Sequence, residues 1–385
     1  MSTEDFQKIE SELKNKGPQQ ALETLRNTLW QQKQYHSWFD ATLLQKKHEL
    51  GLPLSRPTSL DDVPESQRDQ FEELYIATAR QAGEAFLKEQ DIPSAWVYLR
   101  TIREPQKVAQ AIESLSPDAA NEEVLNIAFF HGVAPVKGVE FMLGSRGTCS
   151  TITALDQQFG QMPPTARRDC ARVLVRELYR GLRDVLQSEV QKRQPLAPPE
   201  QSLRELIAGK EWLFEEDNYH VDVSHLNAVV RFARALEADT PELDQARQLA
   251  EYGARLSTKY QYPGPPPFED FYPAHRQYLN ALAGEGSARD EAIAWFKKQL
   301  GDDPQQTDSQ IVAFTLIDLL VRLGRAGEAV DLAAKYLANS AEEFGLSLPE
   351  LCAKAGRFDV LQQLARDKSD LVTFTGALLQ QTGKT

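Results

Sequence analysis

Two histidines and an aspartate, His220, Asp222 and His225, fall within six residues of one another. Imidazole nitrogen and carboxylate oxygen are ligand types that suit zinc or iron. If Asp222 caps a helix, His220 lies just before that helix and His225 lies in its first turn, so the three side chains can converge. A metal site would need a further ligand, for which His131 and Glu216 are candidates. The chemistry would then be metal-dependent hydrolysis on a helical frame. The plainer reading uses the same residues: Asp222 accepts the N–H of Ser224 or His225 as an N-cap, and His220 packs on Trp212 or Tyr219. It carries more weight, because a cluster this short has low specificity.

Cys149 follows Gly147 and Thr148 near an expected helix start. A helix N-terminus lowers a thiol pKa, so a nucleophile would fit there, but a small core cysteine is the plainer reading. Arg168, Arg172, Arg176, Arg180 and Arg183 form a stripe that drifts around one long helix. The first four are a candidate protein-binding face, for an acidic partner or for a second copy of this chain. A solvated face paired with acidic residues is the plainer reading. Gly144, Arg146 and Gly147 are not a phosphate loop, since no strand precedes them and no Lys-Ser/Thr follows. No Gly-x-Ser-x-Gly element is present.

These residues must be positioned by helices. Apolar residues recur at helical spacing along the chain, with no convincing period of two, so the fold class is all-α. Ala21, Leu22, Leu25 and Leu29 form one stripe, and Ala95, Trp96, Leu99 and Ile102 another. Residues 51–64 carry three prolines and read as a linker or surface loop. Residues 194–202 carry three more and read as a linker, which divides the chain into an N-terminal helical domain, 1–193, and a C-terminal one, 203–385. Ser202 and Glu205 make a capping box after that linker. Residues 260–272, YQYPGPPPFEDFY, read as an ordered loop that is either displayed for recognition or, the favoured reading, folds back to bury its aromatics and close one end of a groove.

Composition bounds the function. The 385 residues carry a net charge of −13, which argues against nucleic acid as the partner, because phosphate binding needs a positive field. The first ten residues, MSTEDFQKIE, show no secretory signal, and no stretch approaches a membrane span. Three cysteines, odd in number and far apart, fit a reducing compartment, so a cytoplasmic location is expected.

After residue 220 the helix pairs resemble tetratricopeptide repeats. That family places a small residue early in the second helix, an apolar or aromatic one four on, and a small one three further. Ala292, Phe296, Gln299 and Pro304 stand at those spacings, with Gln299 departing from the small-residue rule. Ala329, Ala333 and Tyr336 follow, and Leu323-Gly324 matches the family's turn. Ala246, Ala250 and Gly253 make a third copy, so that copies open 46 and then 37 residues apart, near the family's 34 with insertions. The resemblance implies an α-α superhelix, irregular in its N-terminal half. It also implies a scaffold that binds a protein or peptide through a concave surface, with no cofactor. A structural homo-oligomer joined through the arginine helix is a further alternative.

Overall fold

The computed structural model describes residues 3–116, 119–194, 201–238, 240–284 and 286–383. Among them every regular element is a helix and there is no strand, as the apolar periodicity requires. No described helix is long and apolar enough to cross a membrane. The chain forms two compact units, Met1–Gln158 and Phe159–Thr385.

In the first unit, helices pack on their neighbours in sequence. They are α1 (Thr3–Lys16), α2 (Pro18–Gln31), α3 (Tyr35–Glu49), α4 (Glu65–Lys88), α5 (Ile92–Thr101), α6 (Gln106–Glu113) and α7 (Glu122–Leu125). Asp91 starts α5 by accepting the N–H of Ser94 at 3.1 Å. Asn121 starts α7 in the same way through Val124. Gly83 lets α4 and α5 approach, since a Cβ there would lie 2.6 Å from Leu99. The loop over 51–64 is tied down by Lys47, whose fully buried ammonium donates to the Arg56 carbonyl at 2.6 Å and lies 3.5 Å from Asp62. One π-helical turn, Asn126–Phe130, leads toward α8 (Pro135–Phe159). Helix α8 is broken at Gly147, whose φ of 74° and ψ of 176° are not helical.

The second unit opens with α9 (Pro164–Arg193), followed by α10 (Leu203–Ile207), α11 (Val223–Phe232) and α12 (Pro241–Gly253). Helix α9 packs on α10, α11 and α12. Tyr179 of α9 donates to Gln248 of α12 at 3.2 Å. These contacts place α9 with the elements that follow it, so the compact units divide earlier than the proline-rich 194–202 segment suggests. Residues 195–200 of that segment lie outside the described residues. The capping box of Ser202 and Glu205 is present at the start of α10.

Three adjacent helix pairs then carry the repeat-like residues: α11 with α12, α13 (Phe271–Ala283) with α14 (Ser287–Lys297), and α15 (Thr307–Arg322) with α16 (Ala326–Tyr336). Ala246, Ala250, Ala292, Ala329 and Ala333 are all fully buried. Gly253 faces the Tyr272 ring of α13, and a Cβ there would lie 2.1 Å from it. Gln299 is exposed because α14 has already ended at Lys297, which accounts for a polar residue at a small-residue position. Gly324 turns α15 into α16 with φ 76°, in the left-handed region that glycine favours. Three shorter helices close the unit: α17 (Leu348–Ala355), α18 (Phe358–Asp367) and α19 (Leu371–Gln381).

Candidate functional site

The His220 cluster is built as a helix cap. Asp222 accepts from the N–H of Ser224 at 2.8 Å, from the N–H of His225 at 3.2 Å and from the Ser224 hydroxyl at 2.5 Å. The Ser224 hydroxyl and the two amides hold its carboxyl below the usual carboxylate range. His220 lies against Tyr252: its N–H donates to the tyrosine hydroxyl at 2.8 Å, and its Nδ1 lies 3.2 Å from the same oxygen. Burial lowers the His220 pKa, with the Glu189 charge acting in the opposite direction. Among the described residues no group of three or more His, Cys, Asp or Glu is placed to hold a metal ion. Glu216 is exposed. His131 belongs to the first unit, where its ring lies 5.8 Å from Trp96.

Cys149, expected in the core, is exposed. It stands just past the break at Gly147, and that break re-phases the helix so that the apolar face before it no longer predicts the one after. The arginine stripe is taken up within the chain. Arg168 donates to Asp169 at 2.8 Å and to Glu237 at 2.9 Å. Arg172 and Arg176 both reach Glu242 on α12, at 3.2 and 3.3 Å. Arg180 pairs with Glu177 on its own helix. Glu242 is buried, so this pairing fastens α9 to α12 rather than leaving a free cationic face.

A different set of arginines meets in a cleft of about 570 Å³ in the second unit. The first turn of α9 brings Arg167 and Arg168, the C-terminal end of α11 brings Arg231 and the 3-10 turn after it Arg234, and the last turn of α15 brings Arg322. Among the described residues two carboxylates line the same cleft, Glu237 and Asp318.

The positioning is specific. Arg322 donates its guanidinium to the carbonyls of Arg234 and Leu236, which the 3-10 turn leaves without helical partners, and to the Tyr278 hydroxyl at 3.1 Å. That hydroxyl in turn donates to Asp318 at 2.8 Å. Arg234 donates Nε to the Arg231 carbonyl at 3.3 Å, and its guanidinium lies 4.5 Å from the Phe268 ring. Phe268 belongs to the proline- and aromatic-rich loop, which folds back as its composition suggests: Phe268 and Tyr272 are buried, while Tyr262 is exposed. Desolvation lowers the Arg234 pKa, with Tyr278 and Asp318 opposing and Arg231 adding to it. No carboxylate lies within 4.0 Å of Arg167, Arg234 or Arg322 among the described residues.

Sequence reasoning singled out only Arg168 of this set. The signals that would have found the others are the Arg167-Arg168 doublet and the Arg231-x-x-Arg234 spacing, which puts two cations one turn apart at the end of a helix. Comparison with protein-family models, curated proteins and solved structures finds no match for this chain.

Proposed function

We propose that this chain is a helical-repeat scaffold that binds a protein or peptide through a concave surface, and that the concavity is the arginine-lined cleft of its second unit. The observation that carries the reading is that two of the five arginines lining a recess, Arg167 and Arg234, have no carboxylate within 4.0 Å among the described residues. Uncompensated cations in a recess favour an anionic ligand, and in a chain of net charge −13 that concentration of positive charge is local. Phe159, Pro164 and Phe314 line the same walls, which suits the side chains that flank an acidic residue in a peptide. The bound species is therefore an acidic segment of a protein partner. A cytoplasmic setting is consistent with three cysteines that are all free.

The metal-hydrolase alternative has less support, because Asp222 is engaged as a cap and His220 with Tyr252. The homo-oligomer alternative loses its motive, because the arginines it would use pair with Glu237, Glu242, Asp169 and Glu177.

The test is fluorescence anisotropy with short degenerate peptide libraries, acidic against amide-bearing. Acidic peptides should bind, more weakly as salt rises, and Arg167→Glu should weaken them about tenfold. Equal behaviour of the two libraries would reject the reading.

A further inference from the structure

The donors in the cleft differ in how far they are engaged. Those of Arg322 go to two carbonyls and a hydroxyl, so its role is to hold the Arg234 segment in place. Those of Arg168 go to Asp169 and Glu237. Arg234 has only Nε engaged, and its guanidinium lies against Phe268, so its two terminal nitrogens make no hydrogen bond among the described residues. Arg167 makes no side-chain hydrogen bond among the described residues. Two guanidiniums with open donors, Arg167 and Arg234, therefore line one recess.

A carboxylate brings one charge and two acceptor oxygens. A phosphomonoester brings about −1.5 to −2 charges and three acceptor oxygens, and arginine pairs with it through two parallel bonds. Polyanions fit less well: Glu237 and Asp318 stand among the lining residues, and the whole chain carries −13. Those negative charges would repel a nucleic-acid backbone or an anionic membrane while leaving room for one dianion.

We infer that the cleft takes a phosphorylated serine or threonine of a partner peptide, with Arg167 and Arg234 binding the phosphoryl group. This rests on the acidic-segment reading above and narrows it. Flanking side chains of the peptide lie against Phe159 and Phe314, which line the same recess.

The experiment measures anisotropy of three degenerate peptide libraries that differ only at the centre: phosphoserine, glutamate or serine. The phosphoserine library should bind about tenfold tighter than the glutamate one, through charge-assisted bidentate pairing. Its binding should weaken as pH falls through about 6, where the dianion takes up a proton, while glutamate binding holds to about pH 4. Arg167→Met, at a residue with no internal partner, should remove the preference and leave the helical circular dichroism unchanged. Arg234→Lys keeps the charge and loses the fork, and should lose most of the preference too. Equal binding of phosphoserine and glutamate, both weakened by Arg167→Met, would sink the phosphate assignment and leave the acidic-segment reading standing. No binding of either above the serine library would overturn both. Arg167-dependent sedimentation with phosphatidylcholine vesicles carrying phosphatidic acid, without peptide binding, would also overturn both in favour of a lipid.

Discussion

Arg322 closes the end of a helix that lies far from it in sequence, by donating to the carbonyl of Arg234, 88 residues earlier. One guanidinium bridges that carbonyl, the carbonyl of Leu236 and the Tyr278 hydroxyl. A planar fork can satisfy several acceptors at once, and a lysine ammonium cannot reproduce its geometry.

Arg322→Met should therefore destabilise the second unit by about 2–4 kcal/mol, because hydrogen bonds from a charged donor are lost and two carbonyls are left unpaired. Arg322→Lys should recover less than half of that. Urea unfolding of the full chain followed by circular dichroism checks this, and an unchanged midpoint would reject the clamp.

His275 gives the fold a defined pH sensitivity. It is fully buried between Phe268 and Phe271, with ring centroids 4.3 and 4.2 Å away. Its Nδ1 donates to the Phe271 carbonyl at 2.7 Å, and Nε2 has no partner among the described residues. Burial, reinforced by the Arg234 charge, pushes its pKa down to about 3 from 6.5. Between those values the unfolded chain binds a proton that the folded chain does not. Stability from this group is thus complete above 6.5 and is lost as pH falls toward 3. From pH 7 to pH 5 the loss should be about 2 kcal/mol, and His275→Phe should remove that slope. Parallel slopes in the two proteins would refute the assignment.

Gly253→Ala sets two effects against each other. Alanine is the better helix former by roughly 0.5–1 kcal/mol. Its Cβ would lie 2.1 Å from the Tyr272 ring, which is fully buried and whose hydroxyl donates to Asn227 at 2.5 Å. Overpacking of an anchored ring costs about 1–3 kcal/mol, so the variant should be destabilised on balance. A melting temperature equal to or above that of the parent would show that α12 and α13 approach less closely.

Asp222→Ala should cost about 1 kcal/mol as a lost N-cap, and Asp222→Asn less, since an accepting oxygen remains. The capping role also predicts that a His220→Ala/His225→Ala variant carries the same metal content as the parent by elemental mass spectrometry. Near-stoichiometric zinc or iron that disappears in the variant would restore the ligand reading of His220, Asp222 and His225.

What the sequence made legible was local. Ala329 and Ala333 lie four apart and are buried together, and Gly324 sits at the turn between α15 and α16, because helix periodicity and left-handed backbone are encoded within a few residues. The Asp222 cap was equally local, but a cap and a metal ligand call for the same carboxylate in the same place, and only the hydrogen bonds to Ser224 and His225 separate them. Cys149 was misread because the general tendency of free cysteine to be buried does not tell which face of a helix it occupies, and here it falls on the exposed side just past the break at Gly147. The cleft was not legible at all. Arg167, Arg234 and Arg322 come from three separate helical segments, and each alone has the signature of an ordinary surface arginine. What distinguishes them is that no carboxylate lies within 4.0 Å of their guanidiniums among the described residues, which is a tertiary property.

Packing on sequence neighbours in the first unit also sets how it opens. Helix α1 buries none of its residues and packs chiefly on α2. A stack held by such nearest-neighbour contacts loses its outermost member at little cost to the rest. Amide protons of α1 should exchange with solvent first, those of α2 next, and those of α4 and α5, which meet at Gly83 and Leu99, last. The first unit thus has a graded hierarchy of protection that begins at its N-terminal helix, rather than a single threshold at which all of it melts.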